Sequence, residues 1–317
     1  MNSSANTYCD LKDFKIGYKN YHIYLSMTVC IFGSIANILN IFVLSTKSMR
    51  SSTNFILTAL AASDLLVMLE YIPFVHMFNH NYLYASHFTH VFAVFIVFHA
   101  LFTQAFHFIS CCLTVILAIW RYVAIKFPQK NTDWCGDNNT RWTILLTYLL
   151  CPFVCTPMYF SMEINGIEVS VDENDKILSK NLEFVNHTNT TIYIVRYGNK
   201  VLKDISFYVY GVVIKLIPCI LLTILSCLLI IELLKAKQRR RNLTGAVTKE
   251  KGAIKRSPNQ KRMEKEKQAD RTTRMLLAVL LLFLMVEFPQ AIFGVLNHII
   301  GEEFESQCYQ PLGEFDV

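Results

Sequence analysis

The stretch HVFAVFIVFHALFTQAFHFISCCLTVILAIWRYVAIKFP, residues 90 to 128, decides the fold class. Its first part, from His90 to Trp120, contains no Lys, Arg, Asp or Glu. That run is longer than the roughly 20 apolar residues that a helix needs to cross a bilayer core of about 30 Å. Arg121 follows at once, between two aromatic residues. The pattern predicts a membrane-spanning helix that ends in an arginine at the water interface.

Five further apolar runs occupy much of the remaining chain. The six predicted spans cover residues 21–44, 55–78, 90–120, 142–162, 205–231 and 275–300. The chain has 317 residues, of which 53% are hydrophobic and 17% charged. Buried helices of a soluble protein produce one or two such runs, but not six. The sequence therefore predicts an all-α membrane protein, a bundle of transmembrane helices.

The loops between the spans differ in their content of Lys and Arg. The loop 235–274 holds 15 Lys and Arg against 4 Asp and Glu, and the first and third loops also hold more basic than acidic residues. Because positively charged loops stay in the cytoplasm, residues 1–20 and 301–317 are predicted to be extracellular. The net charge of +6 follows from this topology and does not indicate nucleic-acid binding. We expect a multi-pass plasma-membrane protein with an extracellular N-terminus, in contact with membrane lipids.

Polar residues and prolines mark five of the six spans. They are Gly33 and Asn37 in the first span, Asp64 in the second, Arg121 with Pro128 at the third, Pro218 in the fifth and Pro289 in the sixth. In this order they resemble the rhodopsin-like G-protein-coupled receptors over nearly the whole chain. Two places differ from that family's usual pattern. Trp120 stands where an acid usually precedes the arginine, and VEFP at residues 286–289 stands where the family has C-W-x-P.

Three segments narrow the resemblance. WRYVAIKFP at residues 120–128, KLIPCILLTIL at 215–225 and DRTTRMLLAVLLLFLMVEFPQ at 270–290 are similar to the invertebrate myosuppressin-receptor and sex-peptide-receptor group. The resemblance implies a receptor for a short amidated neuropeptide, of the myosuppressin or FMRFamide-like kind. It also implies signalling by a ligand-biased movement of the sixth span to inhibitory heterotrimeric G proteins, and no enzymatic activity.

The resemblance assigns roles to individual residues as well. The residues implied in G-protein coupling are Arg121, Trp120 and Tyr122, and those implied in a conformational or ion-binding role are Asp64, Ser110 and Asn37. Asp64 matches the family's sodium-binding residue, with Ser110 at the matching level of the third span. No cofactor other than a sodium ion near Asp64 is implied.

Four charged residues lie within the predicted spans: Asp64, Glu70, Lys215 and Glu287. A charge at the helix centre costs roughly 2.5 to 3.5 kcal/mol on insertion scales. We expect Glu70 to anchor a cationic group of the peptide, because no base on a neighbouring span lies at its depth in an obvious way. For Lys215 and Glu287, an ion pair that only fixes helix packing stays as open as a functional role. The predicted ligand-binding set is Glu70, Tyr71, Thr103, Gln104, His107, Lys215, Glu287 and Gln290.

Cysteines and glycosylation sequons add expectations about the extracellular side. Cys9 and Cys308 are the only two of the ten cysteines on that side, and the family's usual disulfide to the second extracellular loop lacks both its partners. We therefore expect a Cys9–Cys308 disulfide between the N-terminal segment and the last extracellular loop. The sequons at Asn2, Asn186 and Asn189 lie outside in this topology, whereas those at Asn138 and Asn242 lie inside.

Two further segments carry structural expectations. TTIYIVRYGN at residues 190–199 alternates apolar and polar residues, which predicts a hairpin strand over the extracellular mouth. The tail from Tyr309 resembles only the start of a seventh span. We therefore expect that span to be missing from this chain, through an incomplete gene model or in a short, non-signalling isoform.

Two other functional classes compete with a receptor. A six-span transporter or channel would account for the spans and their internal charges, but the sequence shows no internal repeat, pore-loop motif or arginine-periodic sensor. The histidines lack metal-ligand or nucleophile spacing, so an enzyme is not predicted.

Overall fold

Helices form most of the chain. The computed structural model describes residues 12–79, 88–172, 177, 188–248, 277–278, 281–282, 284–296, 299–300, 304 and 308. Its helices are α1 (Lys12–Leu44), a 3-10 turn (Lys47–Met49), α2 (Ser52–Asn79), α3 (His90–Lys126), α4 (Asn131–Trp134), α5 (Asp137–Val154), α6 (Thr156–Ser161), α7 (Lys200–Tyr208), a π-helix (Val209–Leu216), α8 (Ile217–Thr248) and α9 (Leu284–Leu296).

The helices correspond to the predicted spans. Spans one, two and three are α1, α2 and α3; α5 with α6 forms span four; α7, the π-helix and α8 form span five; and α9 lies in span six. Within the described residues, five of these segments are long and apolar enough to cross a membrane, and α9 is a shorter apolar helix. The chain is thus a multi-pass helical membrane protein.

The helix ends differ from the apolar runs that predict them. Span three continues past Trp120 to Lys126, and span five continues through Lys235 to Thr248. Hydropathy marks where lipid begins, whereas a helix ends where its backbone can no longer continue. In span three, Phe127 precedes Pro128, and a residue before proline is disfavoured in the helical conformation. The remainder of the basic loop, from residue 249 to residue 276, lies outside the described residues.

Span three lies at the centre of the bundle. It packs against α2, α5 and α8, and its inward face is almost fully buried at Ile109, Leu113 and Leu117. These side chains form one apolar cluster with Ile56 of α2 and Ile214 of the π-helix. Span one contrasts with this arrangement, since outward aromatic side chains such as Phe32 and Phe42 are 69% and 74% exposed. Such a surface fits a helix surrounded by lipid.

Polar side chains join neighbouring spans inside the apolar core. The hydroxyl of Tyr148 in span four donates to the Ala59 carbonyl of span two at 2.8 Å and lies 2.6 Å from Ser63 Oγ. A buried hydroxyl is stable in a membrane only when a partner satisfies it, so the bonds of Tyr148 fix which faces of spans two and four meet.

Gly33 allows span one to approach span two, because a Cβ there would lie 2.5 Å from Met68 Sδ.

A two-stranded hairpin lies beside the N-terminal end of span three. Strands β1 (Met162–Val171) and β2 (Thr188–Tyr197) pair antiparallel, which confirms the expected strand. The Tyr193 amide donates to the Phe88 carbonyl at 2.9 Å, and the Tyr193 ring meets the His90 ring edge-on. Ile192 and Val171 are buried against Phe88. The hairpin is therefore held against span three without the family's usual disulfide.

Spans five and six approach closely at two glycines. A Cβ on Gly211 of the π-helix would lie 3.0 Å from the Gly294 carbonyl carbon of α9, and a Cβ on Gly294 would lie 3.2 Å from the Gly211 Cα. Only glycine fits such a contact of backbone with backbone. A π-helix frequently marks a functional site, and this one carries Lys215.

Candidate functional site

The Lys215 ammonium lies at the centre of a polar cluster between spans three, five and six. It donates to Glu287 Oε2 at 2.7 Å, to Gln290 Oε1 at 2.9 Å and to His107 Nε2 at 2.7 Å. The side chains of Lys215 and Glu287 are only 4% and 8% exposed. An ammonium has three donors, and this one uses all three. The predicted residues His107, Lys215, Glu287 and Gln290 therefore meet in one place.

His107 Nε2 is contacted by several polar groups of this cluster. The Lys215 ammonium lies 2.7 Å and Glu287 Oε2 lies 3.3 Å from it. Cys111, one helical turn further along span three, places its Sγ 3.5 Å from the same nitrogen.

A second polar pair lies nearer the predicted extracellular side. Glu70 of span two accepts from His99 Nδ1 of span three at 2.8 and 2.9 Å, and the two side chains are 8% and 2% exposed. The His99 ring stacks on Phe74 with centroids 3.6 Å apart. The expectation that no base lies at the depth of Glu70 is therefore wrong: the packing of α2 on α3 brings His99 to it.

The two pairs occupy different depths. His99 and His107 are eight residues apart on α3, which corresponds to roughly 12 Å along a helix. The bundle thus holds an outer carboxylate, Glu70, and a central cluster around Lys215.

The other predicted ligand residues lie between and beside these two groups. Tyr71 Oη is 3.3 Å from His22 Nε2 of span one, and its ring lies 5.8 Å from that of His99. The Thr103 hydroxyl donates to the His99 carbonyl, one turn earlier in α3, at 2.7 Å. Gln104 has a buried Nε2 without a hydrogen-bond partner among the described residues. A buried amide donor left without an acceptor is costly, and an incoming carbonyl group could satisfy it.

The residues implied in the ion-binding role are partly brought together. Ser110 Oγ donates to Asp64 Oδ1 at 2.7 Å, as their matching level in the two spans suggests. Asn37 is directed to Met68, with its Nδ2 3.7 Å from the sulfur. Asp64 and Ser110 therefore form a pair, and Asn37 makes a separate contact between spans one and two.

At the predicted cytoplasmic end of span three, Trp120 is directed toward span four, and Arg121 forms no ion pair within the described residues. Trp120 Nε1 donates to Thr140 Oγ1 of α5 at 2.9 Å. The Arg121 Nε is buried and has no hydrogen-bond partner in the part of the chain that the structure describes. Tyr122 packs against span five and accepts from Lys126. Trp120 therefore joins span three to span four through its hydrogen bond to Thr140.

The features predicted to be extracellular lie only partly within the described residues. Cys308 is disulfide-bonded, and eight of the ten cysteines are free. Cys9, the remaining cysteine, lies outside the described residues, so its bond to Cys308 stays a prediction that this count favours. Asn2 and Asn186 also lie outside them. Asn189 is exposed on β2, where its side-chain oxygen accepts from Ser170.

The sequence alone did not single out His99 and Cys111. Both carry a helical-spacing signal, because His99, Thr103, His107 and Cys111 follow one another at intervals of four on span three. Residues at this spacing share one face of a helix. That face is the polar stripe that meets Glu70 at one level and the Lys215 cluster at the next.

Comparisons with known proteins show which family this chain is similar to. The model of the serpentine type 7TM G-protein-coupled chemoreceptor family Srw matches residues 24–310. The chain is 27% identical to the G-protein coupled receptor dmsr-1 of Caenorhabditis elegans, covering 94% of this chain and 62% of that receptor. It is 26% identical to the sex peptide receptor of Drosophila melanogaster, covering 84% and 58%, and 24% identical to the FMRFamide receptor of the same species, covering 86% and 46%. The chain spans about half to three fifths of the length of these relatives.

Proposed function

This chain belongs to the serpentine 7TM G-protein-coupled receptor family Srw, and on that premise we propose that it is a receptor for a short peptide ending in Arg-Phe-amide or a similar amidated group. Two relatives support a peptide ligand, because their names are sex peptide receptor and FMRFamide receptor. Receptors of this kind are not enzymes, and the outer half of the bundle is where a peptide would enter.

The observation that carries the ligand class is the buried carboxylate of Glu70. Its one hydrogen-bond partner among the described residues is His99. A carboxylate held at the outer level of the bundle suits a cationic side chain such as arginine, through charge-assisted hydrogen bonds worth roughly 1.5 to 3 kcal/mol. Gln104, with its buried donor, would donate to the peptide's backbone or amide carbonyl.

The central cluster supports a mechanism for signalling. Lys215 ties span five to Glu287 and Gln290 of span six and to His107 of span three. A ligand that contacts His107 or Gln290 would change the free energy of these hydrogen bonds. It can shift the equilibrium between the inactive and the active conformation only by the difference in its affinity for the two conformations. Movement of span six would then expose Arg121 to a heterotrimeric G protein. The resemblance to the myosuppressin and sex-peptide receptor group favours inhibitory G proteins.

The test is a panel of synthetic peptides applied to cells that express the receptor at the surface. Each peptide ends in Arg-Phe-amide or in Arg-Phe with a free carboxylate, and cyclic AMP is measured with and without a toxin that blocks inhibitory G proteins. We expect responses to the amides, at least about tenfold weaker responses to the acids, and loss of the signal with the toxin.

Two other outcomes would redirect the proposal. The family's description names chemoreceptors, so a response to small molecules and to none of the peptides would overturn the peptide class. Ion flux that does not depend on a G protein would favour the channel instead.

A further inference from the structure

The central cluster contains the ligand set of a transition-metal ion. His107 Nε2, Cys111 Sγ and a carboxylate oxygen of Glu287 all lie within 4.8 Å of one another. The separations are 3.5 Å from His107 Nε2 to Cys111 Sγ and 3.3 Å from His107 Nε2 to Glu287 Oε2. Imidazole nitrogen, thiolate and carboxylate are the three donor types that proteins use most for zinc.

These separations match the edges of a tetrahedral zinc site. Zinc binds nitrogen and carboxylate oxygen at about 2.0 to 2.2 Å and sulfur at about 2.3 Å. At tetrahedral angles these bond lengths place nitrogen roughly 3.3 Å from oxygen and roughly 3.6 Å from sulfur. Two of the three ligand separations thus fit a zinc site, and the third, between Cys111 Sγ and Glu287, is within 4.8 Å.

The Lys215 ammonium now lies where the ion would bind, 2.7 Å from both His107 Nε2 and Glu287 Oε2. We propose that a zinc ion and the Lys215 ammonium are alternative occupants of the site formed by His107, Cys111 and Glu287. On binding, the Cys111 thiol loses its proton to solvent, because a coordinating thiol is deprotonated. The two positive charges of zinc are then balanced by the Cys111 thiolate and the Glu287 carboxylate.

The Tyr210 ring already lies beside the ammonium, with its centroid 5.7 Å from Lys215 Nζ. An aromatic face attracts a cation, so the displaced ammonium would keep this contact. Access comes from the side of His107, whose side chain is 32% exposed while that of Glu287 is 8% exposed. Three protein ligands leave the fourth zinc position to water. A sulfur and an imidazole among the ligands favour zinc over calcium or magnesium.

The metal changes which spans are joined. With the ammonium in place, span five is tied to spans three and six. With zinc in place, span three is tied to span six directly, through His107 and Cys111 on one side and Glu287 on the other. The site does not depend on the identity of the peptide, so metal binding can be measured without one.

The experiment uses the purified receptor in detergent, with zinc chloride or cobalt chloride as the added metal and no peptide. We expect zinc to raise the Tm of the wild-type protein, and cobalt to produce a thiolate-to-metal charge-transfer absorption band. Cys111→Ser should remove both effects. The matched control is Cys112→Ser, which removes the neighbouring thiol and should keep both effects.

A further variant tests the exchange with the ammonium. Lys215→Met removes the competing charge and should raise zinc affinity by roughly tenfold or more, because a like charge close to a bound cation is repelled. Should this variant fail to fold, the comparison of Cys111→Ser with Cys112→Ser in the wild-type background still tests whether the metal binds at this site. Equal metal effects in those two serine variants would overturn the site. Binding by Lys215→Met but not by the wild type would overturn the exchange.

Discussion

Lys215 and Glu287 illustrate what a buried ion pair does at the scale of single residues. Both charges are removed from water, and each is tolerated because the other lies 2.7 Å away. Removing one partner leaves an uncompensated buried charge, at a cost of about 3 to 5 kcal/mol. We expect Lys215→Met or Glu287→Leu alone to lower surface display or to alter basal signalling. The double variant should recover part of the loss.

The measurement for this pair is a double-mutant cycle on the Tm of the receptor in detergent and on surface display. The control is Lys215→Met combined with Glu232→Gln, since Glu232 pairs with Lys235 in a different part of span five and should not couple to the buried pair. If the effects of Lys215→Met and Glu287→Leu simply add, the two residues do not interact as proposed.

Glu70 permits a test that separates ligand anchoring from structure. Glu70→Gln keeps an oxygen that can accept from His99 Nδ1 but removes the negative charge. We expect an amidated peptide containing arginine to lose about 10- to 100-fold in potency, on the scale of 1.4 kcal/mol per decade. A peptide with neutral citrulline in place of arginine should be weak on both receptors.

Glu168→Gln is the control for this comparison, because it makes the same chemical change at an exposed position on β1. Its potency should match that of the wild type. Equal potency of the arginine peptide on Glu70→Gln and the wild type, at normal surface display, would rule out Glu70 as the anchor.

The sequence predicted the pairing of Lys215 with Glu287 but not that of Glu70 with His99. Lys215 and Glu287 each lie just before a proline in the apolar runs of spans five and six, so a shared depth could be inferred. His99 is surrounded in sequence by apolar residues, and its meeting with Glu70 depends on the rotation of α3 against α2. That rotation is set by packing of the whole interface, which a single sequence does not encode in any local signal.

At the scale of elements, apolar runs predicted where helices lie but not how closely they approach. The contact of Gly211 with Gly294 could not be foreseen, since isolated glycines in apolar helices have many roles. The π-helix could not be foreseen either. Together they bring span five against span six at the level of the Lys215 cluster. The hairpin is the opposite case, because its alternating pattern is local and predicted the strand directly.

Gly211→Ala tests that approach. Its Cβ would lie 3.0 Å from the Gly294 carbonyl carbon and 3.2 Å from the Val295 nitrogen, and backbone atoms cannot turn aside as a side chain does. We expect spans five and six to be forced apart, with a stability loss of about 1 to 3 kcal/mol and altered basal signalling. Thermal unfolding in detergent and cyclic AMP without peptide are the two measurements.

Gly17→Ala is the matched control for this substitution, because a Cβ at Gly17 would meet nothing within 4 Å. In a helix this change should be neutral or stabilising by up to about 1 kcal/mol. Identical behaviour of the two alanine variants would show that the close approach is not needed.

At the scale of the whole molecule, the charge of the loops predicts which ends of the helices face the cytoplasm. Every functional assignment depends on that orientation. Only if the N-terminus is outside can Arg121 contact a G protein and Glu70 contact a peptide. Two exposed asparagines at opposite ends of the bundle report on it. Asn189 is on the hairpin, beside the outer end of span three, and Asn138 is in the first turn of α5. Both match the glycosylation sequon.

The sequons make the orientation testable in one gel. In a background that lacks the other extracellular sequons (Asn2→Gln with Asn186→Gln), we expect one glycan, removable by an N-glycosidase and lost in Asn189→Gln but kept in Asn138→Gln. The physical reason is that glycan transfer occurs only on the lumenal side, where the topology places the hairpin. The structure adds a local reason why Asn138 would not be glycosylated. The hydroxyl of Thr140, which belongs to the same sequon, is buried and accepts a hydrogen bond from Trp120. A glycan lost in Asn138→Gln and kept in Asn189→Gln would invert the topology, and would place Arg121 outside the cell and Glu70 near the cytoplasm.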